Sequence, residues 1–133
     1  MDTVLLTVEI TAGALLAMAR YPFATADGVE ISPILVEIAH RNLRRMGISK
    51  TSITCCDAAE FMELGRYTFF YMNNPFPRII MERVMRNICK SVQRLPGRLT
   101  LIYRTPECDA VVSAAGFRIF KVRHPFNCYV MNC

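Results

Sequence analysis

Gly28-Val29-Glu30-Ile31-Ser32-Pro33 joins two kinds of structure within six residues. Ala26–Ile31 reads as a short strand that ends on a carboxylate. Ser32 then caps a helix that has Pro33 at its first position, where the missing N–H costs nothing. Leu35, Ile38, Ala39, Leu43 and Met46 recur at helical spacing, which predicts one apolar face, and Gly47 closes the helix. A strand feeding directly into a capped helix is half of a βαβ unit.

The same alternation continues on both sides of this stretch. Thr3–Ile10 is a β-rich apolar run too continuous for a one-sided sheet, and Ala12–Arg20 is a short helix stopped by Pro22. Downstream, the strand Ser52–Cys56 leads into a short helical turn to Leu64 and a break at Gly65. Tyr67–Met72 is a buried strand by composition. Pro77 opens a helix with Ile80, Val84, Ile88 and Val92 in a stripe, ended by Pro96-Gly97. Leu99–Tyr103 is a strand and Cys108–Ala115 a short helix. Phe117–Val122 and Phe126–Met131 are two last strands joined around His124-Pro125.

Alternation of this kind predicts an α/β fold: a doubly wound, mostly parallel sheet of seven strands in one domain over residues 1–133. The final connection is too short for a parallel crossover, so the last strand is expected to run antiparallel.

Composition removes other classes. With 53% hydrophobic and 20% charged residues the chain is not a disordered tail. No apolar run reaches the roughly 18 residues of a membrane span, and no basic residue precedes the first apolar stretch as in a secretory signal. A cytoplasmic domain is expected, with no membrane partner. The six cysteines (Cys55, Cys56, Cys89, Cys108, Cys128, Cys133) form no C-x-x-C pair, and neither His40 nor His124 stands at zinc spacing from them. No metal site is expected, and the thiols are expected to be reduced and mostly buried. The net charge of +5 gathers on two helices, at Arg41, Arg44, Arg45 and Lys50 and at Arg83, Arg86, Lys90 and Arg94. Solvated helix faces account for both clusters, with nucleic acid the weaker reading because no aromatic residue interleaves with them.

In doubly wound sheets ligands bind at the carboxyl ends of the strands. The residues there are Glu9, Thr11 and Gly13 after the first strand, Glu30 after the second, Asp57 after the third and Asn74-Pro75-Phe76 after the fourth. A carboxylate in the position of Glu30 can accept hydrogen bonds from both ribose hydroxyls of a nucleotide.

The segments GVEISP and AHRNLRRMG (residues 39–47), the Cys56-Asp57-Ala58 stretch, the Asn74-Pro75-Phe76 turn and the terminal hairpin together resemble the class I S-adenosylmethionine-dependent methyltransferases, which have a Rossmann-like core. The resemblance implies S-adenosylmethionine as cofactor. Glu30 would hold its ribose and Ile31 would pack on the adenine. Asp57 and the Ala58 N–H would meet the adenine edge. Glu9, with Thr11 and Gly13 in its loop, would lie near the methionine moiety. Asn74, Pro75 and Phe76 would line the transfer site, where the Asn74 amide oxygen would accept the hydrogens of a nitrogen nucleophile. The acceptor is left open.

The loop from Glu9 to Ala14 carries one glycine where the resemblance leads one to expect several, and the chain opens directly on its first strand, so a shortened N-terminus is expected. The alternative reading keeps the fold as a binding or structural module without transfer.

Overall fold

The structure, a computed structural model, describes residues 4–8, 22–23, 25–73, 76–92 and 97–132. The described strands are β1 (Val4–Val8), β2 (Thr25–Glu30), β3 (Ile53–Cys55), β4 (Phe69–Asn73), β5 (Arg98–Arg104), β6 (Arg118–Arg123) and β7 (Phe126–Asn132). The described helices are α1 (Pro33–Arg45), α2 (Arg78–Val92) and α3 (Asp109–Ala114). One sheet holds all these strands in the order β3-β2-β1-β4-β5-β7-β6. Pairing is parallel from β3 to β5, and β7 is antiparallel to both β5 and β6. The chain builds outward from β1 through β2 to β3, then returns to β4 on the other side of β1. The order therefore reverses between β1 and β4, which opens a crevice at the carboxyl edge.

Side chains alternate across the sheet, so each strand feeds two cores. Phe70 and Met72 of β4, Leu99, Leu101 and Tyr103 of β5, and Tyr129 and Met131 of β7 face one side. They pack there with Met81, Val84, Met85 and Ile88 of α2 and Val112 of α3. Ala26, Tyr71, Phe69, Ile102 and Phe126 form a smaller cluster on the other side, with Phe23, Ile48 and Ile53. Helix α1 lies against the β2–β3 end of the sheet.

The α/β class and the mixture of parallel and antiparallel pairing match the sequence expectation. Local differences have physical causes. The helix expected over Ala12–Arg20 lies outside the described residues. Between β3 and β4 the chain makes two 3-10 turns, Ala58–Glu60 and Glu63–Arg66. Tyr67 precedes β4 rather than opening it, because its hydroxyl is drawn to Asp27. Asp27 sits inside β2 at 4% exposure and is fully engaged. Its Oδ2 accepts from the Tyr67 hydroxyl at 2.7 Å and from Arg66 at 2.8 Å, and its Oδ1 accepts the Ser52 N–H at 3.0 Å. A buried carboxylate is tolerable only with such partners. Burial, followed by the hydrogen bond to Asp27, pushes the Tyr67 phenol up to about 12.

Helix α1 buries Val36 and Leu43, whereas Leu35, Ile38 and Met46 stay exposed. Leu43 and the half-buried Ala39 keep their expected side, but four apolar residues within Ile34–Ile38 leave the first turns apolar on more than one face, and docking selects Val36 there. The expectation of mostly buried thiols is also corrected. Cys55 is exposed and Cys56, Cys89, Cys108 and Cys128 are half-buried, because they sit at the margins of the core, where Cys56, Cys89 and Cys108 pack against it without being enclosed.

Candidate functional site

The carboxyl ends of β2 and β3 meet beside the switch in strand order. The Glu30 main-chain oxygen accepts the Cys56 N–H at 3.1 Å, which fixes the two strand ends together. The Glu30 carboxylate is 4% exposed, and its Oε2 accepts the Ser32 N–H at 2.9 Å. Ser32 in turn caps α1, its Oγ accepting the Leu35 N–H at 3.3 Å. The carboxylate is thereby held at the positive end of a helix.

After β3, Asp57 adopts an extended conformation and its Oδ1 accepts the Ala59 N–H at 3.0 Å, starting the first 3-10 turn. The Ala58 N–H, one position earlier, has no hydrogen-bond partner among the described residues, as befits the first amide of a helical turn. Ile31, Cys56, Asp57, Ala58, Phe76 and Ile80 line a cavity of about 190 Å³, closed by Val29 and Pro77. Ile31 is 59% exposed beside it, an apolar side chain left open at a strand end. Burial, with Asp57 next, pushes the Cys56 thiol up, so Cys56 stands in the wall as a neutral group.

Four of the residues singled out from sequence (Ile31, Asp57, Ala58 and Phe76) therefore share one cavity, and Glu30 stands between two of its lining residues. Glu9, Thr11, Gly13, Asn74 and Pro75 lie outside the described residues. Cys56, part of the Cys56-Asp57-Ala58 stretch, and Ile80, part of a helix stripe, join the cavity wall without a site role expected from sequence. Ile80 opens the α2 stripe on the rim side, the one signal that could have separated it from the core positions behind it.

Phe76 is half-buried against the main core and tied to the loop after β5. The Cys108 Sγ approaches the Phe76 oxygen at 3.9 Å, and the Tyr103 hydroxyl accepts the Cys108 N–H at 3.2 Å. The Tyr129 hydroxyl donates to Asp109. Desolvation raises both phenols, Tyr103 to about 12. They remain protonated struts at neutral pH rather than bases. A larger cavity of about 490 Å³ is lined by Arg66, Asn87 and Lys90 and shares no residue with the one beside Glu30. Among the described residues no group of His, Cys, Asp and Glu is arranged to hold a metal ion, and no helix is long and apolar enough to cross a membrane.

No family model and no curated protein matches the chain. Solved structures do. The chain superposes on MtNAS in complex with MTA and tNA with a TM-score of 0.71 at 18% identity, covering 99% of this chain and 54% of that one. For the [4+2]-cyclase SpnF the TM-score is 0.68 at 21% identity, covering 90% and 52%. An RNA methyltransferase from Salinibacter ruber, in complex with S-adenosyl-L-homocysteine, gives 0.67 at 16% identity, covering 98% and 80%. The fold is that of the class I S-adenosylmethionine-dependent methyltransferases. The chain spans about half the length of MtNAS and SpnF. Within the methyltransferase fold, Glu30 ends the second strand and Asp57 follows the third, at the edge of the crevice.

Proposed function

We propose that this chain acts as one methyltransferase domain, binding S-adenosylmethionine at the ends of β2 and β3 and transferring its methyl group to an acceptor at the end of β4. The observation that carries the reading is the buried Glu30 carboxylate, oriented by Ser32 and flanked by a cavity with an exposed apolar wall. A buried carboxylate held at a helix start suits a pair of ribose hydroxyls, whose O–H groups it accepts. The residues present fit the rest of the cofactor. Asp57 keeps Oδ2 for an exocyclic amino group while Oδ1 serves the turn, the Ala58 N–H can donate to a ring nitrogen, and Ile31 offers a flat apolar contact.

Bound there, the cofactor supplies a methyl group on a sulfonium centre. The protein's part is placement, which in an in-line displacement accounts for most of the acceleration. By their place after β1 in the sequence, Glu9, Thr11 and Gly13 would hold the methionine end. The Asn74 amide oxygen would accept the hydrogens of the nucleophile, and Pro75 and Phe76 would shape the acceptor side, where Cys108 Sγ approaches the Phe76 oxygen. Nitrogen is the acceptor atom that suits this amide.

The single glycine between Glu9 and Ala14 favours a second reading, a module that keeps the fold without transfer. A thermal unfolding scan with S-adenosylmethionine and S-adenosylhomocysteine separates the two. Ligand at about 100 times its dissociation constant stabilises the native state by roughly 2.7 kcal/mol, a shift of several degrees. A shift abolished by Glu30→Ala supports the enzyme. An unmoved midpoint at millimolar ligand, with a cooperative transition, establishes the module.

A further inference from the structure

The face of β5, β7 and β6 turned away from α2 and α3 carries a row of cations with no ion pair among the described residues. Residues directly opposite in an antiparallel pair share a face of the sheet. Arg98 and Arg104 of β5 pair with Asn132 and Phe126, so they lie on the side of Phe126, Cys128 and Val130. Simple alternation along β6 would put Arg118 and Lys121 on opposite sides. The register slips by one between Ile119 and Lys121, leaving Phe120 as an extra residue. The bulge re-aims the strand. Arg118 opposes Val130, Lys121 opposes Cys128 and Arg123 opposes Phe126, so all three basic residues join Arg98 and Arg104 on one face.

Those five cations are exposed, and none is in an ion pair among the described residues. The three strands contain no Asp or Glu. Between the cations runs a half-buried strip of Thr100, Ile102, Phe126 and Cys128, and the Arg104 guanidinium sits over the Phe126 ring at 5.9 Å. Phe120 is 53% exposed at the bulge. Protection of a bare edge against strand pairing explains charges on β6. It does not explain Arg98 and Arg104, two strands further in. The opposite face of β5 and β7 is filled by the core under α2 and α3.

We propose that this face binds the phosphate backbone of a single-stranded nucleic acid. A polyanion matches five cations on the two strands that flank β7, and the half-apolar strip between them, with the Phe126 ring in it, suits unstacked bases. A second copy of the chain does not: antiparallel pairing of β6 with itself would set Arg118 against Arg123. Arg104 and Arg123 end their strands at the same carboxyl rim as the cavity beside Glu30, so a strand lying on the face leads to the transfer site. That last step, in which the bound strand presents the acceptor, rests on the methyl-transfer reading, whereas the binding does not.

The experiment is fluorescence anisotropy of a short fluorescein-labelled single-stranded RNA titrated with the full chain, without cofactor, over a series of salt concentrations. Each phosphate contact contributes roughly −0.7 to the slope of log K against log salt, so a slope of about −2 or steeper is expected. Neutralising Arg118, Lys121 and Arg123 to Gln should weaken binding at least about tenfold and flatten the slope by about 2. A charge-matched control, Arg41, Arg44 and Arg45 to Gln on α1, should change affinity by less than about twofold. Circular dichroism confirms folding of each variant, and Arg98→Gln with Arg104→Gln provides a second test if the first variant unfolds. Absence of RNA binding at low salt, equal losses in the two charge-matched variants, or binding only of acidic peptide or anionic vesicles would overturn the proposal. Cofactor binding is read separately by the thermal scan, so the two readings fail independently.

Discussion

The Glu30 carboxylate accepts the backbone N–H of Ser32 at 2.9 Å, while the Ser32 hydroxyl caps the next helix at Leu35. Strand end, candidate ligand group and helix start thus form one unit. Replacing Glu30 with Ala should leave the fold largely intact, since the Ser32 cap remains, and should remove the charged acceptor for the ribose. Hydrogen bonds to a charged group are worth about 1.5–3 kcal/mol, so the S-adenosylhomocysteine dissociation constant should rise about 10- to 100-fold by calorimetry.

Asp57 has two tasks, and two substitutions separate them. Asp57→Ala deletes the acceptor of the Ala59 N–H and should cost about 1 kcal/mol of stability in urea, as lost caps do. Asp57→Asn keeps a carbonyl oxygen for that cap but presents an amide donor to the cavity. It should therefore unfold close to wild type and still bind S-adenosylhomocysteine weakly.

Alkaline pH should destabilise the protein in a defined window. Tyr67 and Tyr103 are raised in the folded state from 10.0 to about 12. The native form holds these protons more tightly than the unfolded chain. Stability is therefore full below pH 10 and falls as pH rises from about 10 towards about 12. Each phenol contributes a slope of about 1.4 kcal/mol per pH unit within that window. Tyr67→Phe should make the fall shallower by one proton, measured as urea midpoints over a pH series.

Gly116 follows α3 with φ +112°, and a β-carbon there would meet the Met131 sulfur at 3.3 Å. The conformation excludes ordinary side chains, and the space is taken. Gly116→Ala should cost about 1–2 kcal/mol by chemical denaturation, with cofactor affinity unchanged because the site lies at the other strands.

Part of the local geometry around the candidate site is legible in the order of residues. Glu30, Ser32 and Pro33 announce a strand end and a capped helix from neighbours alone, and Asp57 announces a turn in the same way. What sequence could not convey depends on contacts far along the chain. Asp27 looks like an ordinary polar residue in a strand, and nothing local shows that Tyr67, forty positions on, will bury and bond it. By β propensity alone Tyr67 belongs to β4. The face chosen by α1 followed from tertiary docking among several apolar residues, not from its period.

The basic face was hidden for a different reason. Along a helix, a spacing of three or four makes basic residues neighbours, so such clusters show in the sequence. On β6, Arg118 and Lys121 come together only because Phe120 bulges, and Arg98 joins them only through the β5–β7–β6 order. Register and strand order, unlike capping, have no local signature.

The most direct test of the central claim is an amide chemical-shift map of the labelled protein titrated with S-adenosylhomocysteine. The account expects saturable changes concentrated at Ile31, Asp57, Ala58 and Phe76, lost in Glu30→Ala and absent from β6. Unchanged spectra at millimolar ligand, or changes confined to another surface such as the Arg66–Lys90 cavity, would contradict it.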